Sequence, residues 1–191
     1  MITIIAVLGK TCSGKTTVVK KLVEEYGFKQ IVTYTTRPIR DGEVQGETYN
    51  FVTDDFFKKG IEDGFFAEYK SFNTVEGVWY YGTSLESLEN ADDNTIIIVE
   101  PHGFRELCEK LENKPIAYYI YCDNDVIKER LISRGDKEDE AKRRLERDNE
   151  DFKGLEYEVV KMFYNNKDTD INDLAFNIMY YTKTLRLFKR K

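Results

Sequence analysis

Apolar residues along this chain fall into short β-branched runs that alternate with segments of helical spacing. Ile2 to Leu8 is one such run, and Ile96 to Val99 and Ile116 to Tyr121 repeat it. Runs that are apolar at nearly every position predict strands buried on both faces. After a loop at residues 9–14, Val18, Val19, Leu22 and Val23 recur at helical spacing, and Gly27 closes the helix. Helices are expected at 103–112, with Phe104, Leu107 and Leu111, and at 124–133, with Val126, Ile127 and Leu131. A last helix is expected from Asp170 to Phe188, carrying Leu174, Phe176, Ile178, Met179 and Leu185. Strands and helices in this alternation predict an α/β fold with a parallel sheet covered on both faces.

Two segments break the rhythm. Residues 33–91 are rich in Tyr, Phe, Gly and Thr, with alternating runs at Tyr49 to Val52, Phe65 to Phe72 and Val78 to Tyr81 and a short helix near 54–60. They read as a small mixed sheet inserted between two units of the main sheet. Between Arg134 and Asp148 stand six basic and six acidic residues, which makes that stretch either a solvated helix or a mobile lid.

The length of 191 residues, with 41% hydrophobic residues, 12 glycines and 3 prolines, suits one folding unit with a real core. Ile4 to Leu8 is far too short to cross a bilayer, no secretory leader opens the chain, and three cysteines are too few for a disulfide scaffold. A reduced cytoplasm without a membrane partner is the expectation. The net charge of −6 argues against nucleic acid as a partner. Residues 1–40 nonetheless hold seven Lys/Arg against Glu24 and Glu25, a local +5 that leaves −11 for the remainder. A basic pole on an acidic body suits a small anionic ligand.

That pole contains Gly9-Lys10-Thr11-Cys12-Ser13-Gly14-Lys15-Thr16, which fits G-x-x-x-x-G-K-[ST] between a strand and a helix. The glycines let backbone N–H groups point inward as a nest for phosphate oxygens at a helix N-terminus. Lys15 is expected to bridge the β- and γ-phosphates of a nucleoside triphosphate and Thr16 to hold Mg²⁺, with Thr17 next to them at the donor site. Cys12 is either a reactive thiol or a small residue tolerated by tight backbone geometry. The D-x-x-G and N-K-x-D pair of GTP-hydrolysing switches is missing, since the one D-x-x-G falls at Asp151 to Gly154. A kinase needs a second anion site. Thr33 to Arg40 sets Arg37 and Arg40 three apart in a hydroxyl-rich loop, either a phosphate fork or two solvated arginines.

The segment T-T-R-P-I-R-D-G-E-V-Q-G-E-T-Y-N-F-V (35–52) resembles the GMP-binding segment of guanylate kinases. F-F-A-E-Y (65–69), W-Y-Y-G-T-S (79–84), L-I-S-R-G-D (131–136) with R-R-L (143–145), and F-Y-N-N (163–166) resemble the later elements of the same family, in the same order. The resemblance implies a three-layer P-loop kinase with a central parallel sheet, a mixed-sheet insertion for the acceptor and a short lid. It divides the chain into core (1–32), acceptor-binding part (33–91), core (92–133), lid (134–150) and core (151–191). It implies transfer of the γ-phosphoryl of ATP to GMP or dGMP, with Mg²⁺, by a monomer or homodimer. By position, Arg37, Arg40, Tyr49 and Tyr81 would grip the acceptor phosphate, Glu68 would accept from guanine N1–H and N2–H₂, and Thr33 and Thr83 would approach O6. Glu100 would lie on the acceptor side and Asn165 on the donor side. Arg134 and Arg144 would meet the transferring group with Lys15, with Arg130 and Arg147 as secondary candidates.

A carboxylate does match the two adjacent donors of guanine, and adenine offers no such pair (compare). Against these roles stand plainer ones: Glu68 as an exposed strand acid, Tyr49 and Tyr81 as core aromatics, the lid arginines as ion pairs on a solvated helix. The chain departs from the family pattern at Ile98 and Glu100, where Asp-x-Asp is usual, at His102, at Cys12, and by about four extra residues between Glu68 and Tyr81. His102 is expected to be structural, since this transfer needs no dedicated base. A kinase for another nucleoside monophosphate and a non-catalytic guanylate-kinase-like binding module are the other readings.

Overall fold

The computed structural model describes residues 3–74 and 77–189. Ile2, and residues 75–76 within the extra stretch, lie outside the described residues. The main sheet contains β1 (Ile5–Leu8), β2 (Lys29–Gln30), β7 (Thr95–Ile98), β8 (Ile116–Tyr121) and β9 (Lys161–Tyr164). Their order is β2-β7-β1-β8-β9, and every pairing is parallel.

The apolar runs explain this sheet directly. Successive side chains of a strand point to opposite faces, so Ile4, Ala6 and Leu8 join one core cluster while Ile5 and Val7 join another. The first face is closed by α4 (Pro101–Lys110) through Phe104 and Leu107. The second is closed by α1 (Lys15–Tyr26) through Val18, Val19 and Leu22, and by α7 (Ile171–Lys189) through Leu174, Ala175 and Ile178. Each such aliphatic side chain contributes about 1.5–3 kcal/mol when fully buried. A smaller cluster of Cys122, Ile127, Leu131 and Ala141 joins α5 (Asn124–Ser133) to α6 (Glu138–Asp151).

The second sheet has order β4-β3-β6-β5, from β3 (Tyr34–Thr35), β4 (Asn50–Phe51), β5 (Phe66–Thr74) and β6 (Gly77–Ser84). It is mixed, since β3 runs parallel to β4 and antiparallel to β6. The short helix α2 (Asp54–Glu62) packs on it through Phe57, whose ring stacks on Phe66 at 4.1 Å. The fold is the expected α/β arrangement with a mixed-sheet insertion.

Boundaries moved where a local signal competed with periodicity. The helix expected at 103–112 begins at Pro101, whose missing N–H costs nothing at the first helical position. The F-Y-N-N segment (163–166) falls partly in β9, which runs Lys161–Tyr164. Two-residue β2 and the one-turn α3 (Leu85–Glu89) were not anticipated; neither is long enough to show a period. The charged stretch is the helix α6, with Glu138, Asp139 and Glu140 in its first turn, where acids suit the helix dipole. Among the described residues no helix is long and apolar enough to cross a membrane.

Candidate active site

A cleft of about 870 Å³ opens between the main sheet, the mixed sheet and α6. The loop after β1 forms its floor. Gly14 caps α1 with φ 92°, a left-handed conformation that favours glycine. Cys12 is the only non-glycine residue at positive φ among the described residues, at 53°. It packs on the Cys122 cluster, which favours the tolerated small residue over the reactive thiol. Thr11, Cys12, Lys15 and Thr16 reach the cleft wall. Lys15 Nζ donates to the carbonyls of Gly9 and Lys10, so its charge is held over the loop.

Gly9, Ser13, Gly14 and Thr17 build the loop and the first turn of α1 without lining the cleft. Asn165 is likewise behind the loop: it is buried and donates from Nδ2 to Ser13 O at 2.7 Å. Lys10 turns away toward Asn124 and Asn149, and burial, outweighing Asp148, lowers its pKa. The Thr11 N–H donates to Asp148 Oδ2 of α6 at 2.6 Å.

The residues expected on the acceptor side line the same cleft, except Thr83, which is fully buried behind it. Arg37 is only 3% exposed and forms a two-pronged pair with Glu43, at 2.8 and 3.0 Å. Its guanidinium also lies 5.5 Å from the Tyr49 ring centre, and Tyr49 meets Tyr81 edge-on at 5.9 Å. Burial raises the Tyr49 pKa, which keeps the phenol a hydrogen-bond donor. Arg40 has its pKa lowered by burial first and then by the charges of Arg37, Arg134 and Arg144. Four guanidinium groups from two stretches of the chain, 37–40 and 134–144, therefore share one region of the cleft.

Arg134 and Arg144 meet at Asp136, at 2.7 and 3.0 Å, and Arg144 also donates to Glu140 at 2.7 Å. Hydrogen bonds from Arg143 and then Arg144 hold the Glu140 carboxyl at about 2. Glu43, Asp136 and Glu140 were not anticipated as counter-ions of this cluster. A carboxylate three residues after Arg40 was the available signal for the first.

Glu68 and Thr83 come from adjacent strands, β5 and β6, and the Thr83 hydroxyl donates to Glu68 Oε1. Glu68 is 7% exposed, which excludes the plain surface-acid reading. Burial, opposed by the Thr83 hydrogen bond and aided by Glu106 and Glu100, pushes its pKa to about 7. Gly103 of α4 faces it: a Cβ there would stand 2.4 Å from Glu68 Oε2. Thr33, Tyr81 and Glu100 line the cleft as well, and burial raises the Glu100 pKa. Ile98 also reaches the wall, where it offers no charge. His102 lies on the exposed side of α4, 3.9 Å from Glu106. Arg130 braces the loop from behind, donating to Cys12 O at 3.2 Å, whereas Arg147 lines the cleft.

The guanylate kinase family profile matches residues 1–177. The guanylate kinase of Campylobacter jejuni (strain RM1221) is 32% identical over 165 residues, spanning 82% of this chain and 78% of that protein. That of Sulfurimonas denitrificans is 32% identical over 149 residues, spanning 75% of this chain and 70% of the relative. The fold matches a crystal structure of guanylate kinase from Anaplasma phagocytophilum with a TM-score of 0.69 and 24% identity, over 96% of this chain and 86% of the other. The match over residues 1–177, with relatives about a third identical over most of both chains, shows that this chain belongs to the guanylate kinase family.

Proposed function

We propose that this protein transfers the γ-phosphoryl group of ATP to GMP, or to dGMP, giving ADP and GDP or dGDP. The observation that carries the reading is the convergence of Arg37, Arg40, Arg134 and Arg144 in one cleft that also contains Lys15 and Glu68. Four guanidinium groups at one place repel one another; Glu43, Asp136 and Glu140 offset part of that charge within the chain, and a bound polyanion would offset the rest. Phosphoryl transfer is catalysed mainly by positioning and by stabilising negative charge, which such a cluster supplies.

In this reading the 9–16 loop and Thr17 hold the triphosphate, and Asn165 supports the loop from behind through Ser13. Arg37, Arg40, Tyr49 and Tyr81 hold the acceptor monoester. Glu68 accepts from guanine N1–H and N2–H₂, Thr33 lies toward O6, Thr83 would reach O6 by turning its single hydroxyl proton away from Glu68, and Glu100 lies on the acceptor side. Arg134 and Arg144 release Asp136 and Glu140 and turn to the transferring group, and Lys15 follows charge from the γ- to the β-phosphate. The residues fit Mg²⁺ carried by the nucleotide. Thr16 is exposed in the cleft and offers a hydroxyl, and Mg²⁺ is commonly held by one or two protein oxygens plus phosphates. Mg²⁺ would supply neutralisation of phosphate charge.

Residues 33–91 and 134–150 act as the moving acceptor part and lid over a core of 1–32, 92–133 and 151–191; closing them excludes water from the transferring group. The working form is a monomer or homodimer in the cytoplasm, acting on free nucleotides. A coupled assay of ADP release with Mg²⁺ and GMP, dGMP, AMP, CMP or UMP tests the proposal. Turnover confined to the guanine nucleotides is expected; preference for any other base overturns the acceptor assignment.

A further inference from the structure

The last turns of α6 touch both nucleotide sites at once. Arg147 lays its guanidinium over the Phe72 ring of β5 at 4.6 Å, and Asp151, one turn later, pairs with Lys70 of the same strand at 2.9 Å. Lys70 covers the Phe72 ring as well, at 4.9 Å. Residues 147 and 151 share a helix face by their spacing. Asp148 lies a third of a turn round, is 4% exposed, and accepts the Thr11 N–H of the phosphate loop. Asn149 accepts from Lys10 of that loop. One helix segment thus clamps the hairpin that carries Glu68 to the loop that cradles phosphate.

Two features indicate that this clamp has an alternative arrangement. A carboxylate on a loop N–H places negative charge where a donor phosphate would bring more, so the two compete for the same region. In addition, Arg147 Nε is buried without a hydrogen-bond partner among the described residues. A buried donor left unsatisfied costs about 1–3 kcal/mol, which an anion reaching it would recover.

We propose that Phe72 and Arg147 are positioning residues that hold the Asp148 carboxylate on the phosphate loop as an internal competitor of the donor, and that acceptor binding at the hairpin releases it. This rests on the two-site reading above. The hairpin, shifted by GMP, loosens Arg147 from Phe72; α6 turns; the Thr11 N–H becomes available to the donor. Donor and acceptor then bind with positive coupling, and by linkage each tightens the other by the same factor.

The test is calorimetric titration with the β,γ-imido analogue of ATP and Mg²⁺, with and without saturating GMP. In the unmodified protein GMP is expected to tighten the analogue by about 5–150-fold, the usual range of such coupling. Phe72→Leu, which keeps apolar bulk and removes the ring face, should bind the analogue alone as tightly as the unmodified protein does with GMP. Its coupling factor should fall to about onefold, the value of uncoupled sites. Phe72→Tyr restores the ring and the coupling. Asp148→Ala should copy Phe72→Leu from the other end of the clamp, and serves if the hairpin variant unfolds. Unchanged coupling in Phe72→Leu or in Asp148→Ala, or no effect of GMP on the unmodified protein, overturns the inference. Failure of either nucleotide to bind the unmodified protein instead overturns the functional reading beneath it.

Discussion

The Thr83 hydroxyl donates to the Glu68 carboxylate across one pair of antiparallel strands, at directly opposed register positions. The hydrogen bond favours the charged form, and burial disfavours it more strongly, so Glu68 titrates at about 7. Guanine presents two donors and needs an ionised acceptor. GMP affinity is therefore expected to be highest above pH 7 and to fall as pH drops through it, approaching tenfold per unit. Glu68→Gln should remove this pH dependence and weaken GMP by about 1–3 kcal/mol while leaving ATP affinity near its original value. Titrations of both nucleotides between pH 5.5 and 8.5 check this; equal losses for both would remove the base-recognition role.

The same shift has a consequence for stability, with a defined sign. The folded-state pKa lies above the ordinary carboxylate value of 4.5, so the folded state binds the proton more tightly than the unfolded chain. Stability from this group is complete below pH 4.5 and is lost as pH rises through about 7. Glu68→Gln should accordingly gain melting temperature relative to the unmodified protein at pH 8 but not at pH 4.5. A gain equal at both values would show that Glu68 is not held in the protonation state described.

Gly103 is the least visible requirement of the site. Its Cβ position lies 2.4 Å from Glu68 Oε2, so Gly103→Ala must push the carboxylate aside. Displacements near 1 Å can cost on the order of a hundredfold in turnover. The expected result is a raised KM for GMP with the KM for ATP unchanged. Parallel increases in both would place the damage in the fold of α4 instead.

The centre of the parallel sheet was legible because β1, β7 and β8 are buried on both faces and read as unbroken apolar runs, whereas the partly exposed edge strands β2 and β9 carry polar residues that hide them. The turn between β1 and α1 was legible because its glycine and lysine spacing follows from what a backbone nest between a strand and a helix demands. The mixed sheet was visible as a departure from helical rhythm, yet two-residue β3 and β4 carry too little pattern to place their pairing. Arg37, Arg40, Arg134 and Arg144 could be named one by one, but their convergence depends on how α6 folds over the cleft. Gly103 and Asp148 act through distance alone, to Glu68 and to the Thr11 N–H respectively, and no local signal marks either.

Lys15 Nζ donates to the Gly9 and Lys10 carbonyls, so the loop itself orients the charge that donor phosphates would meet. Lys15→Ala removes that charge without touching the core clusters. Loss of one preorganised stabiliser of transition-state charge costs about 10²–10³ in kcat. The melting temperature should stay within a few degrees of the original. Retained turnover would refute the assignment of the cradle, and a collapse in melting temperature would make the lysine structural.

Leu22 provides the contrast, a residue whose loss should act through folding alone. It is fully buried in the cluster that joins α1 and α7 to the sheet, with Val18, Ile96 and Ile178 around the same core. Leu22→Ala removes apolar contact and leaves a cavity, at a cost of about 2–5 kcal/mol. For a chain of this size each kcal/mol lowers the melting temperature by about 2–4 °C. At a temperature well below the new midpoint, kcat and both KM values should match those of the unmodified protein. A selective rise in the ATP KM would mean that α1 transmits core packing to the 9–16 loop at its N-terminus, since Lys15 and Thr16 form the helix's first turn.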